Sequence, residues 1–142
     1  MAGCVSVTID VEALLLRVVA EVFDTDVVVA YSTESKAPHV HRARLAGADG
    51  RRQAGLRASY EWFDATIFDL GVSTTLYDDD DEEQDKEAVI RALALVVRAY
   101  LRGEGRIEHK RGLIRSHPVL RIKVDNRDWE LGRRSSRPHY PE

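Results

Sequence analysis

Three groups of residues have types and spacings that could do chemistry. His39 and His41 stand two apart on a stretch that reads as a strand, so period-two geometry would put both on one face at a spacing that suits a metal. Further ligands would have to come from His109, His117 or Glu34, and none of these is tied to the pair by a recognisable spacing. Imidazoles on the surface of a hairpin give the same pattern. No metal is expected, and His39 and His41 are the candidates if there is one. Glu108-His109-Lys110 matches the Glu-x-Lys half of a restriction-type nuclease site. In that chemistry the carboxylate holds Mg²⁺ and the lysine polarises the attacking water or the phosphate. The matching aspartate belongs on an adjoining hairpin strand, but the residues upstream here read as a helix. Glu61, Asp64 and Asp69 sit among Tyr60, Trp62, Phe63 and Phe68. Carboxylates among aromatics can form an acid–base pair, and a half-exposed strand reads the same way.

Other signatures are absent from the sequence. Cys4 has no histidine or basic neighbour to lower its pKa. There is no Gly-rich phosphate loop, no paired cysteine and no nucleophile elbow. No catalytic residue and no cofactor is expected. The basic C-terminal third, with Arg106, Lys110, Arg111, Arg115, Arg121, Lys123, Arg133, Arg134 and Arg137, could neutralise phosphates. The acidic run Asp78–Glu83 would repel a duplex, and Trp129 and Tyr140 are the only stacking aromatics in that third.

The element that must position the acidic run is a helix predicted over Glu87 to Arg102. Val89, Leu93, Val96, Val97, Tyr100 and Leu101 fall at helical spacing, and Ile90 and Ala94 widen the stripe, as in a helix laid across a sheet. The run lies at the positive end of the helix dipole, Arg98 and Arg102 at the negative end, and Gly103 is a natural C′ residue. A first helix is predicted over Asp10 to Phe23, with Asp10 or Thr8 as N-cap. Strands are predicted over Val27–Tyr31, His39–Ala46, Ser59–Asp69 and Val72–Tyr77, with Arg52–Arg57 weakened by Gly55. After the main helix, Arg106–Lys110 could be a short strand. Val119–Val124 and Asp128–Leu131 alternate about a turn at Asp125-Asn126. Residues 1–8 and 133–142 are expected to be mobile. The expected order is α-β-β-β-β-α-β-β: an α+β domain spanning 1–142, with one antiparallel sheet of about five to seven strands and two helices on one face. The other sheet face is then available to solvent or a partner.

Length and charge narrow the function. The 142 residues suffice for one domain with a real core. No apolar run approaches the ~18 residues of a membrane span, and Met1–Val7 does not read as a signal peptide. A single cysteine excludes an internal disulfide and fits a reducing cytoplasm. Residues 1–85 hold 17 acidic and 7 basic residues, a charge of −10; residues 86–142 hold 7 acidic and 14 basic, a charge of +7; the whole is −3. A folded domain with this split either has a large dipole or pairs the two sets across one surface.

Small size, an acidic loop, a sheet with a free face and no catalytic constellation together resemble the immunity proteins of bacterial toxin systems. Those are compact and cytoplasmic and often use clustered Asp and Glu to cover a basic toxin active site. The matching residues are Asp78, Asp79, Asp80, Asp81, Glu82 and Glu83, with Glu61, Asp64 and Trp62 as neighbours. The order of elements is also similar to the secretion-chaperone-like fold of helix, three strands, helix and two strands, from which this chain departs by an extra strand and no final helix. These resemblances imply a non-enzymatic inhibitor or chaperone in a bacterial cytoplasm. Its acidic patch would meet a basic partner protein, with Trp62, Phe68 or Tyr77 as anchors. The alternatives are a metal-dependent hydrolase or nuclease, and a nucleic-acid binder using the basic third. Monomer and homodimer are both open.

Overall fold

The structure is a computed structural model that describes residues 9–34, 39–111 and 116–133. Its first helix, α1 (Val11–Val22), begins where the Asp10 side chain accepts a hydrogen bond from the Ala13 amide at 3.0 Å. Five strands follow: β1 (Val28–Thr33), β2 (His41–Ala46), β3 (Gln53–Ala58), β4 (Trp62–Ile67) and β5 (Val72–Tyr77). Helix α2 (Glu83–Leu101) comes next, then β6 (Arg106–Arg111), β7 (Ser116–Val124) and β8 (Arg127–Arg133). Every strand pairing is antiparallel, in the order β1-β2-β3-β4-β5-β8-β7-β6. The first five strands form a meander. The crossover through α2 carries the chain to the far edge, and β7 and β8 lead back to β5. The seam between the halves is narrow: only Val72 and Ser73 of β5 pair with Arg133 and Gly132 of β8.

The α+β class stands, with two helices and one antiparallel sheet, but the expected order and count were short. The sheet has eight strands, five of them before α2 and three after. Gly55 does not break β3, because the ring of Phe68 lies on it; a Cβ there would come within 2.9 Å of that ring. The long strand expected over Ser59–Asp69 is trimmed to Trp62–Ile67. A tight turn closes one end, with the Ser59 amide donating to the Trp62 carbonyl at 2.9 Å. At the other end the Gly71 amide donates to the Ile67 carbonyl at 2.8 Å, with Gly71 at φ 71°. β7 begins at Ser116, before Pro118, in a segment paired with β6 alone; pairing to β8 starts at Leu120. A proline is tolerated where one flank of the strand is unpaired. Arg133, expected to open a mobile tail, instead ends β8 against Val72. Residues 1–8 and 134–142, expected to be mobile, lie outside the described residues.

Both helices cover one face of the sheet. Leu14, Leu15, Val18 and Val19 of α1, and Ile90, Leu93, Val96 and Val97 of α2, are buried against it. The strands present alternate residues to them: Ala43 and Leu45, Ala54, Leu56 and Ala58, Phe63, Ala65 and Ile67, then Leu120, Ile122 and Leu131. The alanines on β2, β3 and β4 leave room for the helices to approach. Each large side chain so buried contributes about 1.5–3 kcal/mol. The C-terminus of α2 closes in a Schellman motif: the Glu104 amide donates to the Ala99 carbonyl at 3.0 Å and the Gly103 amide to that of Tyr100 at 2.9 Å. Gly103 has the required positive φ of 94°.

Ion pairs tie the outer sides of the two helices. Arg17 meets Glu87 at 2.6 Å and Glu83 at 3.7 Å, Arg91 meets Glu21 at 2.5 Å and Glu87 at 2.8 Å, and Arg102 meets Asp24 at 3.7 Å. The partners rise together along both helices, so α1 and α2 run in the same direction. Hydrogen bonds from Arg91, then Arg17, hold the Glu87 carboxyl below its ordinary range. A lowered folded-state pKa adds stability that is present above the unfolded value and is lost as pH falls through the folded one. Glu87→Gln is therefore expected to be less stable than the parent near neutral pH. In strong acid, well below the ordinary glutamate value of about 4.3, the two denaturation midpoints should converge. A gap of constant size across that range would contradict the linkage.

Candidate protein-binding surface

The acidic run occupies the connection from β5 into α2, and a buried cation holds it. Lys86 lies in the first turn of α2 on its apolar side, 0% exposed. Its Nζ donates to the Tyr60 carbonyl at 2.7 Å and the Asp78 carbonyl at 2.9 Å, and stands 3.8 Å from Asp78 Oδ1. It also lies over the Tyr60 ring, 4.4 Å from the centroid. An ammonium out of water is tolerable only when paired and hydrogen-bonded in this way. Lys86 thereby joins α2 to two turns, the one before β4 and the one after β5.

The run is then shaped from within. The Asp78 amide donates to the Glu61 carbonyl at 2.9 Å, and Asp78 Oδ1 accepts from the Asp80 amide at 2.9 Å, an Asx turn. The Tyr60 hydroxyl donates to Asp81 Oδ1 at 3.0 Å, which is the main reason its pKa is raised. Asp78 is largely covered, and Asp79, Asp80, Asp81, Glu82 and Glu83 are exposed. Glu83 begins α2, four residues before the expected start, and with Asp85 places negative charge at the positive end of the dipole. Glu82 is the N-cap by backbone and makes no side-chain cap bond. Asp79, Asp80 and Glu82 thus remain as outward carboxylates on a held loop.

The expected aromatic neighbours divide. Tyr77 is 61% exposed and leads directly into the run. Trp62 is its cross-strand partner on the same sheet face, but it is only 6% exposed, with the Arg57 guanidinium over its ring at 5.0 Å. Arg57 also grips buried Asp64 through Nη2 at 2.6 Å and Nε at 3.1 Å, and reaches Glu34 at 3.5 Å. Asp64 therefore serves Arg57 and does not pair with Glu61, which sits in the turn before β4. Asp69 lies beyond the other end of β4, where it accepts from the Tyr100 hydroxyl and from the Gln53 amide at 2.9 Å. Burial, then the bond to Asp69, holds the Tyr100 phenol well above its usual range. The three carboxylates do not converge.

The histidine pair is not on one strand face. β2 begins at His41, and His39 sits in the turn before it, so the period-two argument does not reach it. His41 Nδ1 is 3.0 Å from Thr33 Oγ1 and 4.0 Å from Glu12 Oε2. Among the described residues no three His, Cys, Asp or Glu side chains gather to hold a metal. Glu108 accepts from Arg121 at 2.8 Å and Arg106 at 2.9 Å, and Arg121, then Arg106, lower its pKa. The element before β6 is α2, where the nuclease pattern wants an aspartate-bearing strand, and the β7 residue across from Glu108 is Val119. Arg121 also meets Glu130 at 3.6 Å, and Arg127 stacks on Trp129 at 4.3 Å, so part of the basic third is spent on internal contacts. Cys4, Arg115, Arg134, Arg137, Tyr140 and the Lys110 side chain lie outside what the structure describes.

Lys86 was missed from sequence, although its spacing marks it. It stands four residues before Ile90 on the stripe that continues through Leu93 and Val97. A lysine on an apolar helical face beside an acidic run signals a buried clamp. Among the described residues no helix is long and apolar enough to cross a membrane. No protein-family model matches the chain, and neither does any curated protein or solved structure.

Lys86→Met would strand the carbonyls of Tyr60 and Asp78. It is expected to cost about 2–4 kcal/mol in denaturant unfolding, the scale for orphaning buried polar groups. Amide exchange at residues 78–82 should accelerate more than in the core. A loss below about 1 kcal/mol would show that the clamp contributes little.

Proposed function

We propose that this chain is a non-enzymatic protein-binding module, an immunity-type inhibitor or a chaperone, that covers a basic surface of a partner protein with Asp78–Glu83. One observation carries the reading: the run is fastened by Lys86, Asp78 and Tyr60 while Asp79, Asp80 and Glu82 face outward. A loop held before contact loses less entropy on binding. Like charges concentrated on it raise the association rate with a cationic partner, and salt lowers that rate. Tyr77, exposed at the start of the run, is the aromatic anchor within reach. Trp62 would contribute once Arg57 moved aside, and otherwise supports Tyr77 from the neighbouring strand. A bacterial cytoplasm is part of the proposal: the reducing compartment rests on the single cysteine and the bacterial setting on the resemblance to immunity proteins.

The test replaces Asp79, Asp80 and Glu82 together by lysine and leaves Asp81, which carries the Tyr60 bond. Untagged parent and variant are used to capture partners from the native host at low and high salt, with mass spectrometry. One stoichiometric basic protein is expected with the parent, released at high salt and at least about tenfold depleted with the variant. Equal recovery by the variant, with the same salt response, would remove the acidic run from the mechanism.

A further inference from the structure

Strand β1 is one end of the sheet, and its residues Val28–Thr33 include no charge, proline or glycine. Val28 is 66% and Tyr31 46% exposed. The Glu34 amide donates to the Val40 carbonyl at 3.0 Å, which fixes the alternation along β1. Val28, Ala30 and Ser32 bond to β2, so Val29, Tyr31 and Thr33 turn their N–H and C=O groups to the open edge. Sheet edges are ordinarily blunted by lysine, proline, a bulge or a cover. Among the described residues this edge has none of these.

The free sheet face beside it is cationic. Arg42 and Arg57 are direct cross-strand partners, and Arg44 is two residues along β2. Arg57 is neutralised by Asp64 and Glu34. Arg44 lies over Phe68 at 4.5 Å and bonds to Gln53 at 3.1 Å, with no carboxylate partner among the described residues. Arg42 has no hydrogen-bond or ion-pair partner among the described residues. These arginines, with Ser32 of β1, Thr66 and Phe68, line a hollow of about 230 Å³.

We propose that β1 accepts an extended segment of a partner protein as an added strand, with acidic side chains at alternate positions answering Arg42 and Arg44. This surface is separate from the acidic run and does not depend on the reading given for it. Residues of the added strand opposite Ala30 or Ser32 share the arginine face. At a strand spacing of ~4.8 Å their Cα atoms stand about 10 Å from those of Arg42 and Arg44, within the joint reach of a glutamate and an arginine. Backbone pairing supplies affinity and the arginines select charge. A second copy fits less well. Pairing β1 with itself about Ala30 sets Asp26 opposite Glu34 at both ends and brings only Val28, Ala30 and Ser32 to the arginine face.

The probe is a fluorescent synthetic heptapeptide alternating valine and glutamate, followed by anisotropy. Controls replace glutamate by lysine, or methylate the central backbone nitrogens. Two protein variants are used, Arg42→Glu with Arg44→Glu, and Tyr31→Pro, which removes an outward N–H; circular dichroism checks that both fold. The acidic peptide is expected to bind, and each control and variant to weaken it by about tenfold or more. No binding of the acidic peptide, equal binding of the lysine peptide, or retention by the Arg42/Arg44 variant would overturn the proposal. So would concentration-dependent dimerisation of the parent that Tyr31→Pro abolishes, since the occupant would then be a second copy.

Discussion

A charged ammonium buried in an apolar wedge sets the conditions for much of this molecule. Lys86 cannot be left unsatisfied, and the groups that satisfy it belong to the turn before β4 and the turn after β5. Its position therefore fixes how α2 enters the core and where the chain between β5 and α2 must run. That chain is the acidic run. One lysine at the head of a helix thus converts a stretch of carboxylates, which alone would be a solvated loop, into a surface of defined shape. The exposed carboxylates repel one another, and the clamp opposes that repulsion from below.

The charge asymmetry is handled in two ways. Part of it is consumed: Glu21 and Asp24, from the acidic half, meet Arg91 and Arg102 from the basic half, and hold α1 alongside α2. Arg106 and Arg121 turn to Glu108, within the basic half itself. Part is left over. Asp79, Asp80 and Glu82 remain outward at the head of α2, and Arg42 and Arg44 remain on the free face of the sheet. These two groups have opposite sign and lie on different parts of the fold. That arrangement suits two different contacts better than one.

Local chemistry was legible where a side chain or turn acts on its own segment. Asp10 caps α1, and Gly103 terminates α2 with the positive φ it alone adopts easily. Asp125 and Asn126 take φ of 52° and 62°, the hairpin turn expected of them. Reading failed where a distant residue decided the outcome. Gly55 weakens a strand in isolation, but Phe68, just past the end of the neighbouring β4, covers it. Trp62 looks like a surface anchor until Arg57 from β3 is laid over it. His39 and His41 have strand spacing, yet β2 starts only at His41. The helix start moved to Glu83 because Lys86, a charged residue, belongs to the buried stripe. A count of apolar letters passes over it, although its spacing from Ile90 places it on the stripe.

The most direct test is backbone ¹⁵N relaxation of residues 79–82 in the free protein. If Lys86, Asp78 and Tyr60 hold the run before any partner arrives, its order parameters should approach the ~0.85 of rigid backbone. Values below ~0.6, typical of flexible segments, would mean that the acidic residues are a loose tether, and the account of a preformed surface would be wrong.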